Sequence, residues 1–264
     1  MEALNQEEIK EKLVTLLKQY DEVCLNNNFT YYLAYGSLLG AVRHNGFIPW
    51  DNDVDVCMPK DEYDKFIDYC KNNDTPFILF ESSINSDYYY HYAKLSDPST
   101  IIDDFYNKEI DGLGIFIDIY PLYSLNIAKN KESIVHFITE KLHYLALYSS
   151  SKKYYPSKLF AVNLIKYPTY IFSKILKSSS WINIRNRYIE KLQIKYGTQN
   201  LYLSGDSVVS KTIFDKPQRI EFENITVNAP SNIDEYLKIM YGNYMELPKE
   251  KDQTYEHQYK AYVK

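Results

Sequence analysis

The stretch AYGSLLGAVRHNGFIPWDNDVDVCM, residues 34–58, carries most of the chemistry legible in this chain. It places three aspartates at alternate positions, Asp51, Asp53 and Asp55, between a Gly-Ser turn and an apolar strand. Carboxylates repel one another there, and strands disfavour them. Side chains alternate along a strand, so Asp53 and Asp55 are expected on one face while Val54 and Val56 turn into the core. Asp51 joins that face if Trp50 and Asp51 are still extended. Neighbouring carboxylates raise one another's pKa, and a divalent cation removes the penalty. Hard oxygen ligands select magnesium, manganese or calcium over zinc.

Upstream, TYYLAYG (30–36) reads as a β-branched and aromatic strand stopping at Gly36. SLLGAVRH (37–44) follows as a short helix with Ser37 near its N-cap. Gly36 at such a junction lets a phosphate approach the backbone, and the helix N-terminus directs N–H groups at it. Arg43 and His44, at the far end, are candidates to reach phosphate oxygens, Arg43 through a bidentate fork. Each feature also has a plainer reading: Gly36-Ser37 as an ordinary strand-to-helix turn, and Asp51-Asn52 as an Asx turn after Pro49. No G-x-x-x-x-G-K-[ST] occurs, which excludes P-loop ATPases.

A further acid, Asp118, interrupts the apolar run GIFIDIYPL (114–122). An unpaired carboxylate in such a strand is costly, so it either pairs with a lysine or joins the first cluster. Laid beside residues 54–58, it completes a three- or four-carboxylate site of the kind used in metal-assisted phosphoryl chemistry.

The remaining periodicities place these pieces. Residues 5–28 repeat apolar side chains at three-and-four spacing, a helix ended by the asparagines at 26–28. Residues 60–72 form a second amphipathic helix. PFILFES, DYYYHYAKLSD and IIDDFY read as a meander of strands, and the Asp118 strand is expected to stop at Pro121. Residues 125–196 turn helical in two or three pieces, broken near Pro156, near Pro168 and at SSSW. QRIEFENITVNAP (218–230) alternates as a hairpin turning at Glu223-Asn224, and a helix closed by Gly242 follows. Together these indicate an α/β or α+β sheet domain with a helical insertion.

The chain has 264 residues, 45% apolar and 25% charged, which suits a folded protein with a sizeable core. Tyrosine is overrepresented, 28 against two tryptophans, giving many surfaces apolar in body and polar at the tip. Three cysteines without C-x-x-C spacing indicate buried thiols rather than a disulfide framework or zinc site. The acidic helical start is unlike a signal peptide, and the expectation is a cytoplasmic protein. Its net charge of −5 hides an asymmetry: residues 124–200 hold 13 Lys and Arg against three Glu. Such a basic helical section invites an anionic partner, whether a membrane face, a polyanionic glycan or nucleic acid; with its large apolar residues it reads either as a peripheral contact at the inner face of the cell membrane or as a buried bundle with solvated lysines. Nucleic-acid binding is not expected, because the lysines lack interleaved recognition motifs.

The stretch at 35–58 closely resembles the signature of the LicD family, bacterial phosphocholine transferases related to the fukutin group within the nucleotidyltransferase-fold superfamily. FIDIYPL (116–122) resembles that family's second acidic element, and residues 222–257 resemble its C-terminal signature. The resemblance implies a nucleotidyltransferase-like mixed sheet flanked by helices, with residues 1–123 as catalytic core, 124–200 as a basic helical insertion and 201–264 completing the catalytic domain. It implies magnesium- or manganese-dependent transfer of phosphocholine from CDP-choline to a hydroxyl of a cell-surface or lipid-linked glycan, teichoic acid or lipopolysaccharide, releasing CMP. Asp53, Asp55 and Asp118 are then the expected metal ligands, with Asp118 or Asp51 as base. Gly36, Ser37 and Arg43 then cradle phosphates, with His44 in reach of them, and Trp50 either walls the choline headgroup or packs behind Pro49 to hold the acidic turn. Asn52 and Asn243 stand where family members usually carry Asp. His257 is an expected exposed residue near the end that is able to return to the site.

Other readings use the same residues. A nucleotidyltransferase would leave NMP on its acceptor, and a donor with another phospho-alcohol would differ only in pocket detail. A D-x-D glycosyltransferase normally carries its acidic pair after a longer nucleotide-binding half. A tyrosine-rich binding module would show aromatic-glycine repeats, which are not seen, and leaves Asp118 unexplained.

Overall fold

The computed structural model describes residues 3–104, 110–125, 132–192, 200–202, 208–249 and 259–264. Helix α1 (Gln6–Asn27) opens with a capping box, in which the Asn5 side chain accepts from the Glu8 N–H and Glu8 accepts from Asn5. It closes on Asn28 in the left-handed region, φ 57°. Its buried stripe, Ile9, Leu13, Leu16, Leu17, Tyr20 and Cys24, lies in the main core as the spacing predicts.

The strand after it is shorter than expected: β1 is only Tyr32–Leu33. Helix α2 (Tyr35–His44) begins before Gly36, with Ala34 as its N-cap residue and no side-chain cap. Ser37 therefore sits inside the first turn, and its hydroxyl serves another partner. Strand β2 (Asp55–Pro59) leads directly into α3 (Lys60–Asn72), and β3 (Ile78–Phe80), β4 (Ala93–Ser96), β5 (Thr100–Asp104) and β6 (Phe116–Leu125) follow. The main sheet runs β1-β2-β6-β4-β3; β2 and β6 are parallel and the other pairs antiparallel.

Three local expectations are corrected. The tyrosine run at 88–92 is not a strand: neighbouring rings touch, Tyr89 and Tyr90 at 4.4 Å between centroids, which the alternate faces of a strand forbid. β5 leaves the meander and pairs with β11 (Tyr259–Val263) instead. β6 continues through Pro121, because Asp118 N–H points at β2 and the alternate residues 119 and 121 point the other way. On that side β4 pairing ends at Ile119 and the next partner begins at Tyr123, so the proline's missing N–H is not called upon.

Beyond β6 lie α4 (Glu132–Ser150), α5 (Phe160–Ser173) and α6 (Ser178–Leu192). Pro156 falls between helices as expected, but Pro168 lies within α5. Strand β7 (Asn200–Tyr202) pairs antiparallel with the end of β6 and with β8 (Val208–Ser210). β9 (Gln218–Phe222) and β10 (Ile225–Ala229) form the expected hairpin turning at Glu223-Asn224, with Glu223 at φ 53°. Glu223 ties the hairpin to the loop after α2: its N–H donates to Asn45 O and its carboxylate accepts from Phe47 N–H. α7 (Ile233–Tyr241) is capped by Asn232 and ends at Gly242, φ 65°. The fold is thus α+β, with a mixed sheet flanked by helices. Among the described residues no helix is long and apolar enough to cross a membrane.

Candidate active site

Parallel pairing sets Asp55 of β2 beside Asp118 of β6, and antiparallel pairing sets Lys94 of β4 beside Asp118. Paired residues project to the same face, so Asp55, Asp118 and Lys94 form one row across three strands. Two residues along, Cys57 lies beside Tyr120. The Tyr120 ring packs on Tyr92 at 4.3 Å and on Tyr35 at 5.1 Å.

Helix α2 is fastened to this row. Ser37, buried, accepts the Asp55 N–H at 2.8 Å. Gly36 leaves room for Asp51: a Cβ there would stand 2.9 Å from its carboxylate and push that side chain aside. Tyr35, first residue of the helix, is held at φ 45°, an uncommon conformation for an aromatic residue that the surroundings must fix. They do so through its ring contact with Tyr120 and its N–H, which donates to the Tyr236 hydroxyl at 3.3 Å.

Asp118 is nearly enclosed. Lys94 Nζ donates to both of its carboxylate oxygens, at 2.6 and 2.9 Å, and is itself buried. The ammonium also lies over the rings of Phe116, Tyr90 and Tyr92, at 3.6, 4.7 and 5.2 Å from their centroids. The lysine partner weighed for Asp118 is therefore Lys94. Burial, and then Asp53, Asp118 and Asp51 in that order, push the Asp55 carboxyl well above the ordinary range, with Lys94 opposing. The four aspartates thus share one electrostatic neighbourhood. Burial, aided by Asp55 and Asp118, also pushes the Tyr92 and Tyr120 phenols upward.

The remaining candidates lie around this row. Asp51 closes a turn by donating its N–H to Ile48 O, and its carboxylate accepts the Asn52 N–H at 2.9 Å. Asn52 is buried and its amide donates to Gln6 on α1. Arg43 Nε donates to His44, and its guanidinium donates to the carbonyl of Tyr244 at 3.1 Å, pinning the segment after α7. Trp50 is half-buried and meets His44 edge-on, ring centroids 6.4 Å apart. His257 lies outside the described residues. Among those described, no three His, Cys, Asp or Glu side chains stand close enough to cage a metal ion. The donors assembled here are nonetheless all carboxylate oxygens, which in charge and hardness suit a magnesium-like cation.

Sequence reasoning missed Lys94, Tyr35, Tyr92 and Tyr120. Tyr120 was accessible to it, two residues from Asp118 on the same strand face. Lys94 and Tyr92 were not, because their place depends on the register of β4.

Residues 28–141, which contain the whole acidic row, match the family described as LicD/FKTN/FKRP, nucleotidyltransferase domain. Joined to similarity along nearly the whole chain to a cholinephosphotransferase, that match makes the protein a transferase. The chain belongs to the LicD family: it is 30% identical over 262 residues, 95% of each chain, to lipopolysaccharide cholinephosphotransferase LicD of Haemophilus influenzae. Uncharacterized proteins of Rickettsia prowazekii and Rickettsia typhi are each 47% identical over 51 residues, 19% of this chain. Those matches cover 19% and 16% of the respective proteins.

Proposed function

We propose that this protein transfers phosphocholine from CDP-choline to a hydroxyl of a cell-surface glycan of lipopolysaccharide or teichoic-acid type, releasing CMP. The observation that carries the reading is the packing of an aromatic wall, Tyr35, Tyr120 and Tyr92, against the acidic row of Asp55 and Asp118. An acidic row suits a metal–diphosphate, and rings beside it suit a quaternary ammonium. Similarity across nearly the whole length to a lipopolysaccharide cholinephosphotransferase supports the same choice.

In this reading Asp53 and Asp55 would hold a magnesium or manganese ion, and Asp118, whose two carboxylate oxygens accept from Lys94, would be the third ligand. The ion supplies charge neutralisation at the donor diphosphate when bound. Gly36 and Ser37 belong to the α2 N-terminus, whose N–H groups face developing negative charge on the departing CMP. Arg43 keeps the segment at 244–246 against α2, so its contribution to phosphate binding combines charge with positioning. Asp51, held against Gly36, takes the acceptor hydroxyl proton, with Asp118 the other candidate. Trp50 meets His44 edge-on, whereas Tyr120 shares the strand face of the acidic row, so the headgroup is assigned to the tyrosines. The return of β7 beside the end of β6 supports treating residues 124–200 as an insertion in a catalytic domain formed by 1–123 and 201–264.

The test is isotope placement. CDP-choline labelled in the choline methyl groups is incubated with protein, magnesium and a lipopolysaccharide or teichoic-acid acceptor. Label on the acceptor with release of CMP supports the proposal. Label released as free phosphocholine, with CMP retained on the acceptor, would instead make this a nucleotidyltransferase, and transfer from CDP-ethanolamine or CDP-ribitol alone would change the donor.

A further inference from the structure

Helix α5 is amphipathic the wrong way round for water. Phe160, Leu164, Ile165, Ile171 and Phe172 are exposed, Phe160 at 79% and Ile165 at 76%. The side turned toward the protein is mixed: the Tyr170 ring packs on Tyr148 and Tyr154, and Phe172 also meets Trp181, beside polar groups. Asn163 exchanges hydrogen bonds with Tyr154 and Ser157 of the preceding loop, and Ser173 is fully buried, its carbonyl accepting the Trp181 indole N–H. Just beyond the helix, Ile175 continues the outward apolar face at 68% exposure. An apolar face this continuous signals something that covers it.

The charges around it say what. From residue 141 to 189 the sequence contains nine Lys and Arg and no Asp or Glu. Lys152, Lys153, Lys158 and Lys177 are exposed, close in sequence to the two ends of α5, whereas the Lys174 ammonium donates to the Ser149 and Ser151 carbonyls. Apolar side chains outward with a surround of cations and no anions is the pattern of a helix lying in a lipid interface. At 14 residues α5 is about 21 Å long, against about 30 Å of bilayer hydrocarbon, so it lies in the surface rather than spanning it.

We infer that α5 and its flanking lysines seat the protein on an anionic lipid surface, with the helix apolar face in the acyl boundary and the lysines among phosphate headgroups. This does not depend on which group the acidic site transfers. Where both hold, the acceptor is presented to the enzyme at the membrane.

Flotation of the full chain with vesicles tests it, comparing phosphatidylglycerol–phosphatidylcholine mixtures with phosphatidylcholine alone. The wild type is expected to float with anionic vesicles at low salt and less in about 0.5 M salt. A Phe160→Ser/Ile165→Ser variant with an unchanged thermal midpoint should float about tenfold less or worse. Should that variant lose its midpoint, Lys152→Glu/Lys153→Glu, outside the helix, is expected to show the same loss. Wild type left in the aqueous fraction, or folded variants that float as well as wild type, overturns the proposal. So does a dimer by light scattering that the serine variant dissolves while no vesicle binding is seen, which assigns the face to a second copy of the chain.

Discussion

Lys94 and Asp118 face each other across β4 and β6, and the ammonium closes on both carboxylate oxygens inside a shell of aromatic rings. Buried pairs of this kind are weak sources of net stability, but breaking one leaves an uncompensated charge. Lys94→Met and Asp118→Asn should each cost about 3–5 kcal/mol, and the double variant much less than their sum. Urea unfolding of the four proteins checks this; costs additive to within about 0.5 kcal/mol would contradict the pairing. Magnesium is further expected to recover part of the stability of Lys94→Met, since the cation then takes the lysine's place on Asp118.

The approach of Asp51 to Gly36 gives a second expectation. A methyl group at residue 36 would stand 2.9 Å from the carboxylate, so Gly36→Ala should displace Asp51 and lower transfer by about tenfold or more, at a stability cost of about 1–3 kcal/mol. Adding Asp51→Ala removes the obstructing carboxylate. Thermal unfolding should then find Gly36→Ala/Asp51→Ala nearly as stable as Asp51→Ala alone; an undiminished penalty would place the clash elsewhere.

The tyrosine wall is tested by headgroup discrimination. Tyr120→Leu is expected to raise KM for CDP-choline about tenfold, in line with the loss of a desolvated cation–π contact worth about 1–2 kcal/mol. Tyr120→Phe keeps the ring and should stay close to wild type. A leucine variant with unchanged KM would return the headgroup to Trp50.

Stability should fall in mild acid through His143, which lies at 5.0 Å from the His91 ring and near Arg185. Burial first, and then Arg185, lower its pKa to about 4 from an ordinary value near 6.5, while a backbone contact with Tyr89 opposes them. The fold therefore favours the neutral imidazole. That preference is fully present above about pH 6.5 and is lost as pH falls toward about 4, amounting to about 3 kcal/mol. Asp55, raised in the folded state, acts in the opposite sense, so the comparison is between wild type and His143→Phe. Urea unfolding at several pH values should give the variant a shallower loss on acidification; parallel profiles would contradict the assignment.

What was legible in the sequence follows physical range. Helix α1 and the β9–β10 hairpin are specified locally, by the stripe from Ile9 to Cys24 with its asparagine cap and by alternation around Glu223-Asn224. The adjacency of Asp55 and Asp118 was readable as an expectation because a lone acid in an apolar strand demands a partner. The Tyr88–Tyr92 run misled: aromatic content favours strands, yet here ring-on-ring contacts near the acidic row win over extension. Lys94 was hidden because nothing near it in sequence distinguishes a buried lysine from a solvated one. Pro121 was misjudged because its effect depends on which neighbouring strand its nitrogen faces, a tertiary fact.

The central claim is that the carboxylates of Asp53 and Asp55 grip a CDP-alcohol through a divalent cation. Isothermal titration of CDP-choline into wild type and Asp55→Asn, each with and without magnesium, measures it most directly. Wild type is expected to bind only when magnesium is present, and Asp55→Asn to lose that dependence along with most of its affinity. Equal, magnesium-independent binding by both proteins would contradict the account.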